Sequence, residues 1–167
     1  MPLNDAKSDL FAQVAAQLHQ QELVIVQQDQ TRPWGGFFVL EKSQAQQFAD
    51  LYFDGLAVDS LRIAGQLSPK VLLVAPQQRL SWQYHHRRAE IWQVVQSPVG
   101  VATSDTDAES KARRYEAGER LVLRQGKRHH LVGLESWGIV AKVWQHTDPA
   151  HPSDESDIVR VQDDFGR

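Results

Sequence analysis

Polar and apolar positions divide the chain into a helical beginning and a longer remainder patterned for strands. Leu10, Phe11, Val14 and Leu18 recur at helical spacing with Gln, Lys and Asp between them, and Ser8 or Asp9 stands where a cap belongs. This predicts an amphipathic first helix. Leu23-Val24-Ile25-Val26 is a short β-branched run, followed by a polar stretch from 27 to 31. In Arg32-Pro33-Trp34-Gly35-Gly36 the proline fixes φ and the two glycines permit a tight path. Ser43 and Gln46 have the spacing of a capping box, and Ala45, Phe48, Leu51 and Tyr52 then share one face until Gly55, which predicts a second helix.

From Leu61 onward the pattern shortens, with strands predicted at 71–75, 79–84, 91–96, 99–103, 120–124, 129–133, 138–145 and 158–162. Many short strands separated by turn signals imply a sandwich or a small barrel. The mixed charges of Ser104 to Arg114 read as a solvated hairpin loop. The stretch from His146 to Glu155 carries two histidines and several acids. Its prolines and lack of period make it a surface connection rather than a second metal site.

Composition narrows the classes. With 167 residues, 41% hydrophobic, the chain suffices for one well-buried core, so a single domain over 1–167 is expected, with a helical preface over about 1–55. A net charge of −3 speaks against a nucleic-acid partner. The absence of cysteine leaves any metal to imidazole, carboxylate and amide oxygen, which suits zinc, iron, manganese, nickel or cobalt. No apolar run approaches the roughly 20 residues that span a bilayer, and the start lacks the order of a secretory signal. A cytoplasmic protein without a membrane partner is the expectation.

The chemistry concentrates between Ser81 and Trp92. If Leu80 to Tyr84 continues the strand opened by Val71-Leu72-Leu73-Val74, Gln83 and His85 leave the same face of the sheet. Glu90 follows His85 at an odd spacing, so it rejoins that face only if the chain turns over between them. His86-Arg87-Arg88 is polar enough to make that bend. A fourth ligand is best supplied by His129, because Gly126-Lys127-Arg128-His129 reads as a turn leading into a new strand.

Gln-x-His-x-x-x-x-Glu with a downstream Gly-x-x-His resembles a cupin, a small β-barrel whose mouth holds a metal. Three motifs in order narrow the resemblance: Arg32-Pro33-Trp34-Gly35, then Leu80 through Trp92, then Asp157 through Arg167. Together they resemble the cupin domain of type II mannose-6-phosphate isomerases, a domain that usually follows a guanylyltransferase domain not expected here. The implied fold is mainly β, a cupin (double-stranded β-helix, jelly-roll-like barrel) with short N-terminal helices. The implied metal ligands are Gln83, His85, Glu90 and His129, holding one divalent metal, zinc first. The implied activity is a metal-dependent aldose–ketose isomerisation of a sugar phosphate, mannose 6-phosphate and fructose 6-phosphate or a relative, in a homodimer. A non-catalytic sugar-binding or regulatory cupin that kept the metal pocket is the alternative.

Roles beyond the ligands follow from residue chemistry. His86 and Lys70 are the candidates for proton transfer. Arg88 and Arg160 offer guanidinium forks for a phosphate, and Trp34 offers a ring for the sugar. Departures from the family pattern include Gln77 in place of a glycine, and Arg87 and Ile91 in place of histidines. The helix around 44–55 and the segment from Trp144 to Asp148 mark a divergent branch.

Overall fold

The computed structural model describes residues 3–58, 67–86, 88–96, 98–146, 150 and 157–162. Helix α1, Leu3–Gln20, buries Phe11 and Leu18. It begins before the expected cap, so Ser8 and Asp9 lie exposed within it. Nothing between Leu3 and Asp9 interrupts a helix, since the stretch has neither glycine nor proline. Helix α2, Ala45–Tyr52, buries Ala45, Phe48 and Ala49 on the face the spacing predicts. The capping box is not formed. A 3₁₀ turn, Lys42–Gln44, precedes the helix, with the Glu41 carboxylate accepting from the Ser43 N–H. Gln46 instead donates to Asp50 and Leu56 and accepts from the Val58 N–H, closing the loop after the helix.

Between the two helices the chain makes a hairpin, β1 (Ile25–Arg32) and β2 (Gly35–Leu40). The polar stretch at 27–31 is therefore strand. It is an edge strand, where exposed Gln27, Gln28 and Gln30 cost nothing and discourage pairing with other chains. Strand β2 is squeezed between β1 and β3. A Cβ on Gly35 would lie 2.0 Å from the Leu73 carbonyl oxygen, and one on Gly36 2.1 Å from that of Asp29. The two glycines thus give the tight path their sequence promises.

The remaining strands are β3 (Leu67–Val74), β4 (Trp82–Tyr84), β5 (Arg88–Gln96), β6 (Val99–Ser104), β7 (Arg113–Tyr115), β8 (Arg120–Leu123), β9 (Arg128–Gly133), β10 (Gly138–His146) and β11 (Val159–Gln162). They form two antiparallel sheets, ordered β1-β2-β3-β10-β5-β8 and β11-β4-β9-β6-β7. Mainly β architecture with few helices is the expected fold class. Contrary to the expectation from sequence, Leu80 to Tyr84 does not continue β3. The turn at Ala75 to Gln78 carries the chain into the other sheet, with Gln77 at φ 63, a conformation that favours the glycine it replaces. The loop read over Ser104 to Arg114 ends in β7, and it is tied back by the Trp82 Nε1–H donating to the Asp107 carbonyl. Most of 146–155 lies outside the described residues.

Each strand of the larger sheet sends alternate side chains to opposite faces. Ile139, Ala141 and Val143 of β10, with Val71, Leu73 and Ile91, join Phe11, Phe38 and Phe48 in a core roofed by the helices. Val140, Leu72, Val74, Trp92 and Val94 face the smaller sheet and pack on Val99, Val101 and Leu131. Lys70, Lys142 and Glu90 lie on this second, inner face.

Candidate metal centre

His85 follows directly on β4, and Gln83 of that strand pairs with His129 of β9. The chain then turns over at His86 and re-enters as β5 in the larger sheet, where Glu90 points back between the sheets. The odd spacing from His85 to Glu90 is absorbed by this change of sheet. The ligand atoms of His85, Glu90 and His129 all lie within 4.8 Å of one another, and all three side chains are buried. His85 Nε2 is 3.4 Å and His129 Nε2 3.3 Å from Glu90 Oε1. Donors about 2.0–2.1 Å from one tetrahedral ion are separated by about 3.3–3.4 Å, so the spacing suits a shared metal.

The imidazoles are oriented for that role. His85 Nδ1 lies 2.6 Å from the Asp157 carbonyl oxygen and His129 Nδ1 2.9 Å from that of Lys127. A carbonyl only accepts, so both Nδ1 atoms carry a proton and each ring turns its Nε2 inward toward Glu90. Asp157 also anchors the turn, its carboxylate accepting from the His86 N–H. Two imidazole nitrogens and a carboxylate oxygen, without thiolate, fit a borderline divalent ion.

Burial disfavours the charge on Glu90, which is only 1% exposed, but the Lys142 ammonium overcomes it together with the two histidines and holds the carboxyl well below its usual range. Lys142 Nζ lies 2.8 Å from Glu90 Oε2. Sequence reasoning missed Lys142. Its signal is a lone charge in an apolar strand, in phase with Val140 and Trp144.

A cavity reached by His85 of the cluster has Arg32, Lys70, Lys142 and Arg160 in its lining, with Trp34, Phe37 and Trp144 as aromatic walls. Among the described residues no carboxylate lines it. Gln83 and His85 reach it, and Gln83 Oε1 accepts from the Ser81 hydroxyl at 2.5 Å. Lys70 is buried, its Nζ 4.1 Å from the Phe37 ring centre. Trp34 is buried in the β1–β2 turn. Arg160 stands on β11 opposite Gln83. His86 is not part of the lining. It is exposed, with its ring against Tyr84. Arg87 and the side chain of Arg88 lie outside the described residues. Ile91 faces the helix-covered core, away from the cavity.

The family described as mannose-6-phosphate isomerase C-terminal matches residues 45–163. A stretch of 64 residues is 36% identical to the alginate biosynthesis protein AlgA of Pseudomonas aeruginosa, covering 38% of this chain and 13% of that protein. Among solved structures, vicilin from tomato (Solanum lycopersicum) aligns over 83% of this chain and 35% of its own, at TM-score 0.54 and 15% identity. A recombinant oxalate oxidase in complex with glycolate aligns over 80% of this chain and 58% of its own, at TM-score 0.50 and 20% identity. Both structural likenesses concern the fold alone. No helix among the described residues is long and apolar enough to cross a membrane.

Proposed function

The chain belongs to the mannose-6-phosphate isomerase C-terminal family, a cupin of two antiparallel sheets, and from that premise we propose that it isomerises a sugar phosphate between aldose and ketose at a divalent metal. The observation that carries the reading is a buried His85–Glu90–His129 cluster whose His85 lines a cavity together with four cationic side chains and, among the described residues, no carboxylate. Such a cavity selects an anion, and a phosphorylated sugar brings both the anion and hydroxyls for the aromatic walls.

His85, Glu90 and His129 would hold the metal, zinc by preference, with the Gln83 amide oxygen as a fourth donor. A metal held there would supply Lewis acidity toward the oxygens at the reacting carbons. Arg160 binds the phosphate, and Trp34 bounds the sugar. Of the two proton-transfer candidates only Lys70 lines the cavity, so Lys70, acting as the neutral amine when the substrate is bound, takes the proton from one carbon and returns it to the neighbouring one. The histidine that Ile91 replaces would have faced the helix-side core, so that substitution removes nothing from the cavity. The homodimer and the cytoplasmic setting belong to this reading.

A coupled assay of mannose 6-phosphate and fructose 6-phosphate interconversion tests it. Turnover that needs metal and is lost in Lys70→Met at full metal occupancy is expected. Metal-dependent binding of the sugar phosphate without conversion would instead make the protein a binding module.

A further inference from the structure

Lys142 is a costly residue where it stands. It sits in a central strand, directly opposite Lys70 of β3 on one side and Trp92 of β5 on the other, and is 5% exposed. Two lysines facing each other across a ladder repel, and a buried ammonium is tolerated only against a counter-charge. Glu90 is that counter-charge, and it is also the one carboxylate of the metal cluster. Its two oxygens are divided: Oε1 faces His85 and His129, Oε2 faces Lys142. A ligating imidazole is neutral, so with a metal bound the charges of Glu90 and Lys142 cancel. A divalent ion therefore adds its full charge to a cavity also lined by Lys70, Arg160 and Arg32, the last of these paired with Asp29 at 3.1 Å.

We propose that Lys142 is a built-in counter-cation of the metal centre, which confines Glu90 to one metal-facing oxygen and couples metal affinity to entry of a phosphate anion into the cavity. This rests on the metal reading above and adds to it a regulation of the site. Before the anion arrives, Lys142 competes with the metal for Glu90 and repels it. Once a phosphate dianion is seated in the cavity, the charge that the metal adds is offset and the metal is held. Metal and phosphorylated ligand then bind cooperatively, each raising the affinity for the other by the same factor.

The test is zinc affinity of the full chain, measured by competition with a chromogenic chelator at fixed pH and ionic strength. Wild type is compared with Lys142→Gln, which keeps an N–H donor for Glu90 Oε2 and loses the charge. Each is measured alone, with fructose 6-phosphate, with inorganic phosphate and with unphosphorylated fructose. Without anion, Lys142→Gln is expected to bind zinc about ten-fold or more tightly than wild type. Fructose 6-phosphate should tighten zinc in wild type by about ten-fold and in the variant much less, and fructose in neither. The same gain from inorganic phosphate would assign the coupling to the phosphate group alone; its confinement to fructose 6-phosphate would assign it to the phosphorylated sugar. Both support the proposal. Equal zinc affinities of the two proteins would overturn it and leave the metal reading intact, as would a wild-type affinity that neither anion moves, an arm that needs no variant. Zinc bound by neither protein would overturn the metal reading together with the inference.

Discussion

The two faces of the larger sheet are built by the same strands to opposite ends. On the helix-covered face β3, β5 and β10 contribute Val71, Leu73, Ile91, Ile139, Ala141 and Val143, all buried against Phe11, Phe38 and Phe48. One residue further along each strand, the inner face carries Lys70, Glu90 and Lys142 among Leu72, Trp92 and Val140. The first face is held by dispersion and burial alone; the second adds to its own apolar packing a set of buried charges that must compensate one another. A dry, helix-roofed face lets the inner one hold groups that cost stability unless each has its partner.

Substitutions on each face should separate these roles. Phe48→Ala removes a fully buried ring from the helix side and should cost about 3–5 kcal/mol in denaturant unfolding, while the folded variant keeps its metal affinity. An equal loss of metal affinity would show that the faces are not independent. Glu90→Gln orphans the Lys142 charge and should cost about 3 kcal/mol, with metal affinity falling as well. Because the Glu90 carboxyl titrates well below its usual range when folded, its contribution is fully present above the unfolded value of about 4.3 and is lost as pH falls through the folded one. Chelator-treated wild type should therefore lose stability with acid below about pH 4.3 along a slope that Glu90→Gln lacks. Identical slopes would remove Glu90 from the account. The smallest effect is expected at the cavity rim. Arg160→Ala should weaken a phosphorylated sugar by about ten-fold and leave its unphosphorylated form and the metal content unchanged. If Arg160 only serves the surface, both sugars bind as before.

The two faces were also unequally legible in the sequence. The helices announce themselves through Phe11, Leu18, Ala45 and Phe48, because one apolar face at a period of 3.6 has few other readings. The inner face shows through its metal-capable residues: spacing and turn chemistry single out His85, Glu90 and His129, and the structure brings them together. Strand β2 was not legible, since Gly-Gly-Phe-Phe-Val-Leu has neither alternation nor a helical period, and its burial on both faces arises only when β1 and β3 flank it. The capping box failed because a nearby acceptor, Glu41, took the turn, and local spacing does not rank competing caps. Lys142 escaped notice because an isolated lysine in a strand is usually solvated. Only the pairing of β10 with β5 sets it against Glu90.

The central claim is that the inner face holds one divalent ion through His85, Glu90 and His129. Elemental analysis after equilibrium dialysis against a slight excess of zinc tests it most directly, on wild type and on His85→Ala and His129→Ala at matched folding. The account predicts about one metal per chain in wild type and a large loss in both variants, because each of the few ligands carries a substantial share of the binding energy. Full occupancy persisting in both variants, or none in wild type, would contradict it.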